Sequence, residues 1–182
     1  MGSKFLFAVA ALLAATPAAG AVTVIGNSSA RLCYEAAESR GIPNVHILRT
    51  CDDALRQDAL SDYDMVATLV NRGILKARLG DIDQAIVDYD AALRRDPNEA
   101  EAYLNKGFAL LHLPDAALQA RPMFDSALAK KTRRPELAYY GRAVANELTG
   151  QVRAAYEDYR QASLLDPKWK DPKADLARFR VR

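Results

Sequence analysis

The chain has 182 residues, with 25 lysines and arginines against 23 aspartates and glutamates and a formal net charge of +2. A near-balanced charge excludes an overall field that would steer the protein onto nucleic acid or anionic lipid, and the length suits one domain with a real core. Charges alternate in sign along the chain, as on solvated helix faces, and the basic end (Lys168, Lys170, Lys173, Arg178, Arg180, Arg182) reads as a solvated tail.

Taken in order, Lys4 precedes an apolar stretch over residues 5–15, which Thr16-Pro17 breaks ahead of a run of small residues. This is the pattern of a secretory leader. Ala19-Gly20-Ala21 fits the small-x-small cleavage site, so residues 1–21 are expected to be removed and the mature chain to start near Val22. The stretch falls short of the roughly 20 apolar residues a spanning helix needs. Ala30-Arg31-Leu32-Cys33 is not a lipid-attachment motif, so no membrane insertion is expected after cleavage. The alanine-rich style looks bacterial, and the expected destination is the periplasm or the exterior.

Residues 22–27 are short and β-branched, an extended lead-in. Residues 30–40 follow as a helix capped by Ser28 or Ser29, and residues 46–60 as a second, on either side of Gly41-Ile42-Pro43-Asn44. Each of these helices carries one of the chain's two cysteines, Cys33 and Cys51. In an oxidising compartment the pair is expected to form a structural disulfide, with two buried thiols as the alternative; the spacing does not suit a redox Cys-x-x-Cys. Residues 65–79 and 82–95 form the next two helices, turned by Gly80-Asp81 and ended by Asp96-Pro97. Asn98 and Glu101 then form a capping-box-like start to a helix over 99–113. After Pro114-Asp115 a helix reaches about Lys131, either kinked at Pro122 or starting late with Pro122 in its first turn. Residues 135–148 and 152–165 form the last pair, and Asp171-Pro172 starts a short amphipathic helix with Asp171 as its cap.

The pattern echoes. Gly80, Ala85, Asp88, Tyr89, Ala92, Asp96 and Pro97 recur seventy residues later as Gly150, Ala155, Asp158, Tyr159, Ala162, Asp166 and Pro167. Between them, Asn71-Arg72-Gly73 returns as Asn105-Lys106-Gly107, and Ala85, Tyr89 and Ala92 as Ala120, Phe124 and Ala127. Cys51 and Ala54 take the slots of Tyr89 and Ala92 in a degenerate leading copy. A period of 34 to 36 residues with small and aromatic residues at fixed slots predicts stacked helical hairpins. Since no hairpin buries its apolar face alone, the last needs a cover, for which Trp169, Leu176 and Phe179 are placed.

These slots resemble the tetratricopeptide repeat. Residues 66–99 match best, through Leu69, Gly73, Ala85, Tyr89, Ala92 and Pro97. Residues 136–169 follow through Tyr139, Ala143, Ala155, Tyr159, Ala162 and Pro167, and the middle copy matches through Tyr103 and Gly107 with a shift thereafter. The resemblance implies an all-α fold, an α-solenoid of stacked antiparallel helix pairs. Its parts are a leading hairpin over 28–61, repeats over 66–99, 100–135 and 136–169, and a capping helix over 172–180, all within one domain over 22–182. It further implies a concave face that holds an extended peptide or a partner helix. In the repeat register Val70, Asn71, Ile74, Leu104, Asn105, Phe108, Leu111, Tyr140, Gly141 and Val144 fall on that face. Asn71 and Asn105, one repeat apart, could pin the backbone of an extended ligand; the plainer alternative is that they satisfy neighbouring helices. The carboxylate clamp of the best-known peptide-binding members needs basic residues where this chain has Val70, Ile74 and Gly141, so an apolar or mixed peptide is expected.

No convergent set for catalysis is visible. His46 and His112 lie in different hairpins, Asp81 and Asp83 serve a helix start, and Asp88 and Asp90 point to different sides of their helix. No phosphate loop or hydrolase motif occurs. The expectation is an exported, monomeric, non-enzymatic adaptor without cofactor or metal, binding a protein or peptide; the alternative is a self-associating structural protein of the envelope.

Overall fold

A computed structural model of the chain describes residues 20–25, 29–39, 41, 43–44, 46–57 and 59–179. The expected leader falls outside these residues except for Gly20 and Ala21. The described residues form nine helices and no strand: α1 (Ser29–Glu38), α2 (His46–Gln57), α3 (Asp62–Arg78), α4 (Ile82–Arg95), α5 (Ala100–Leu111), α6 (Ala117–Ala129), α7 (Pro135–Leu148), α8 (Val152–Leu165) and α9 (Asp171–Leu176). Consecutive helices pack as hairpins, each against the next, which is the all-α helical repeat solenoid.

Local chemistry sets most of the turns. Gly80 and Gly150 take φ of 89° and 76°, the left-handed conformation that ends α3 and α7, and Asp115 adopts it at 57° in the middle unit. Behind each glycine the chain closes with a backbone bond, Asp81 N–H to the Lys76 carbonyl after Gly80 and Gln151 N–H to the Asn146 carbonyl after Gly150. Ser61 caps α3 and Asp81 caps α4 by accepting from the amides of Asp64 and Gln84. Two expected caps are corrected. Asn98 donates its amide to Asp96 Oδ1, so the helix begins later and Glu99 caps it, accepting from the Glu101 amide. Asp171 lies within the first turn of α9, where its carboxylate accepts the Trp169 indole N–H at 2.9 Å instead of capping. Pro122 lies inside α6, five residues past its start, so neither a late start nor a first-turn placement applies.

The core divides into two clusters. The first gathers Ala21, Val22 and Val24 with Cys33, Cys51, Val66, Val70, Leu75 and Tyr89; the second gathers Leu104, Phe124, Leu137, Val144 and Tyr159. Helix α5 contributes to both. Cys33 and Cys51 are fully buried and disulfide-bonded, with Cα atoms 5.1 Å apart, stapling α1 to α2. Small residues let the helices approach: a Cβ on Gly107 would stand 2.8 Å from the Phe124 ring, and one on Gly141 would overlap the same ring from the neighbouring hairpin. Phe124 is wedged between the two and packs edge-to-face on Phe108 at 5.1 Å, so it has no direction in which to yield. Gly141→Ala is therefore expected to cost about 2 kcal/mol through overpacking, read as a lower urea midpoint; an unchanged midpoint would show that the ring can move.

At the far end α9 covers α8. Tyr140 packs on Tyr159 at 5.5 Å and on Trp169 at 4.6 Å, while Phe179 meets Tyr156 and Tyr159 at 5.9 Å. Arg178 ties this cover down by donating to both carboxylate oxygens of Glu147 at 2.7 and 3.0 Å.

Candidate functional site

Residues 20–25 run extended across the first helices of successive hairpins. Asn71, fully buried in α3, grips both backbone groups of Val22: its Oδ1 accepts the Val22 N–H at 2.9 Å and its Nδ2 donates to the Val22 carbonyl at 2.8 Å. In the first turn of the same helix the Ser61 hydroxyl donates to Asp64 Oδ2 at 2.9 Å, and Asp64 Oδ1 accepts the Ile25 N–H at 2.9 Å. At the other end Asn105 Nδ2 reaches the Gly20 carbonyl at 3.4 Å while donating at 2.8 Å to the Glu101 carbonyl of its own helix. Arg133, in the turn before α7, donates Nη2 to the Ala21 carbonyl at 2.9 Å. Side chains divide by face: Ala21, Val22 and Val24 are buried, Thr23 and Ile25 exposed.

Around Gly20 the site is polar and tight. The Glu101 carboxylate, 2% exposed as a residue, accepts from Thr132 Oγ1 on both oxygens at 3.0 Å and from the Arg133 amide at 2.7 Å. A Cβ on Gly20 would overlap Glu101 Oε2, so the backbone passes closer to that carboxylate than any side chain allows.

The structure places the other sequence-predicted positions as follows. Val70 and Ile74 meet the segment's valines in the first core cluster, and Leu104, Phe108, Leu111 and Val144 belong to the second. Tyr140 lies beneath the closing helix and donates its hydroxyl to Asp175 Oδ2 at 2.9 Å; burial first, and then the Asp175 charge, push its pKa far up. Burial likewise raises Asp175, against the hydrogen bonds it accepts from Tyr140 and Arg178. Gly141 occupies the slot that holds asparagine in the two earlier units, and faces Phe124. Asp64, Thr132 and Arg133 escaped sequence reasoning, and Glu101 was assigned to a cap. Their common task needs contacts between residues as far as 112 positions apart, for which no local signal exists.

Residues 75–113, spanning the end of α3, all of α4 and all of α5, match the family model described as TPR repeat. Over these residues the chain carries a tetratricopeptide repeat. Among solved structures, it is similar to MamA 41-end from Desulfovibrio magneticus RS-1, at 24% identity and a TM-score of 0.66, with 84% of each chain covered. A MamA RS-1 ArsTM double mutant gives 24% and 0.65, covering 84% of this chain and 83% of that one. The first TPR domain of the human RPAP3 protein gives 24% and 0.58, covering 62% of this chain and 87% of that one. These likenesses bear on the fold. No curated protein matches the chain.

Within the helical repeat array one ionic device recurs. Arg72 of α3 donates Nε and Nη2 to Asp88 in its own hairpin at 2.8 and 2.5 Å, and Nη1 to Asp52 of the preceding hairpin at 2.7 Å. Seventy residues on, Arg142 does the same to Asp158, at 2.9 and 2.7 Å, and to Asp125, at 2.7 Å. The Arg142 pKa is raised first by the hydrogen bonds it donates to Asp158, which outweigh burial. For Arg72 burial is the largest influence and opposes the charge, but Asp88 and Asp52 together raise the pKa. In the middle hairpin Lys106 reaches back to Asp90 at 2.5 Å, while the slot of Asp88 and Asp158 holds Met123. Asp88 and Asp90 thus serve as tethers to different helices, while Asp81 caps its own. Among the described residues no group of three or more His, Cys, Asp or Glu is gathered in a way that could hold a metal ion.

Proposed function

We propose that this tetratricopeptide-repeat protein is an exported, non-catalytic, monomeric adaptor whose concave groove holds an extended segment of a partner protein or peptide. Repeats of this kind generally mediate protein–protein interaction and are generally non-catalytic. The observation that carries the reading is the two-point grip of Asn71 on both backbone groups of one residue: it recognises backbone irrespective of sequence, while apolar walls beside it take alternate side chains. Trp169, Leu176 and Phe179 close the last hairpin, which supports a monomer over end-to-end stacking.

The test is a paired substitution, Asn71→Ala with Asn105→Ala, in protein used to capture its partner from the compartment where it resides. Capture should fall at least about tenfold while the helical circular-dichroism signal is kept, since lost backbone hydrogen bonds cost about 1 to 3 kcal/mol each. Undiminished capture would sink the groove reading. Fractionation, together with an intact mass that reads the N-terminus, tests the proposed export and the start near Val22.

A further inference from the structure

The groove is already filled by the chain itself. We propose that residues 20–25 are a tethered pseudo-ligand, and that the partner is an extended peptide of the same chemistry which must displace them. That chemistry is a glycine, a second small residue, and β-branched apolar residues at the third and fifth positions. This deepens the proposed function and rests on it.

Three observations converge. The contacts are those of a receptor with a peptide: side chains of the array bond to backbone groups of Gly20, Ala21, Val22 and Ile25, so they would serve any extended chain laid in that register. Selectivity is built into the positions. A Cβ at the first would have to displace the Glu101 carboxylate from its bonds to Thr132 and the Arg133 amide, whereas Val22 and Val24 are 2% and 7% exposed against the first core cluster and Thr23 faces outward. The attachment is short, since α1 begins only four residues after Ile25. A ligand on so short a tether has a millimolar-scale effective concentration and reduces the apparent affinity of any competitor by the fraction of empty grooves. Cutting the leader between Ala21 and Val22 would withdraw the first two residues of the strap. It would leave Glu101, Asn105 and Arg133 open as the end at which a partner's glycine enters.

The test uses the protein as isolated, its N-terminus read by intact mass, with Gly-Ala-Val-Thr-Val-Ile blocked at both ends and carrying a fluorophore as the probe. Val24→Asp expels the strap by burying a charge near Asp64, and should bind the probe at least about tenfold more tightly than the unmodified protein. A probe beginning with leucine should bind at least about tenfold more weakly than the one beginning with glycine. In the unmodified protein, saturating probe should accelerate hydrogen exchange at the Ile25 amide; this measurement stands even if Val24→Asp unfolds. The proposal is overturned if the probe binds both proteins equally, if it binds without releasing Ile25, or if it fails to bind at all. It is also overturned if sedimentation shows the strap exchanged between two copies. Loss of partner capture in the Asn71→Ala, Asn105→Ala protein alongside any of these results would leave the groove reading standing; retention of capture would remove both.

Discussion

Replacing Arg142 with alanine should lower the stability of the fold by about 3 kcal/mol, the low end of what breaking a buried ion pair costs. Asp158 has only 9% of its side chain exposed and receives two of its three hydrogen bonds from this guanidinium, the third coming from Asn146 Nδ2 at 3.0 Å. Truncation leaves a carboxylate out of water with one neutral donor, and it cuts the link to Asp125 on the preceding hairpin. The contact of the guanidinium with the Tyr139 ring, 5.3 Å from its centroid, is lost as well. The low end is chosen because Arg142 itself is 23% exposed and the arriving water compensates in part. Arg72→Ala supplies the internal comparison. There Asp88 keeps Lys76 Nζ at 2.8 Å, so the loss should be roughly half as large. Urea denaturation of the two variants beside the parent decides it, and equal losses, or an Arg142 loss below about 1 kcal/mol, would refute the account.

Breaking the Cys33–Cys51 bond should cost about 3 kcal/mol, the value the chain-entropy model gives for a loop closed by an 18-residue separation. The first hairpin should also lose its order ahead of the remainder. Helix α1 offers only Ala30, Cys33 and Ala37 as buried residues, too little apolar surface to hold it without the covalent tie. Melting the pair would free Asp52 from Arg72 and uncover the cluster that seats Val22 and Val24. The measurement is limited proteolysis with and without reductant, joined to a double Cys33→Ala, Cys51→Ala protein in denaturant. Cleavage should begin between residues 29 and 57 on reduction. An unchanged midpoint, or a mass not about two daltons below the reduced value, would dispose of it.

Much of the scaffold was legible because its signals are local. The bounds 82–95, 135–148 and 152–165 were readable from glycines needing positive φ, from prolines at helix starts and from slots at helical spacing, and the helices follow them. Asn98 and Asp171 misled for a common reason. A short polar side chain before a helix caps it only if the preceding turn aims it there, and Lys130 and Trp169 engage these two side chains elsewhere. The ion-pair clamps were half visible: Arg72 and Asp88 recur with the seventy-residue echo as Arg142 and Asp158, yet Asp52 and Asp125 matter only once hairpins are stacked. The occupant of the groove was least legible. Asn71 could be placed on the concave face from register, but nothing in a β-branched run at residues 22–25 says that it folds back 49 positions onto that asparagine.

Met123 has a mechanical consequence. The two flanking hairpins, α3–α4 and α7–α8, carry an arginine locked to a carboxylate in their own second helix, whereas α6 has no such bolt, no side-chain cap at Ala116 and a proline that cannot donate to the turn before it. Within its hairpin α6 is held by apolar packing, the Phe124 ring seated against Gly107, and to the next hairpin by Gly141 and the Arg142–Asp125 bond. Grease allows small slips that a bidentate ion pair forbids, and the two core clusters meet at its hairpin partner α5. Amides of α6 are therefore expected to exchange ahead of those of α4 and α8, which would make the seam between the two core clusters the softest point of the array.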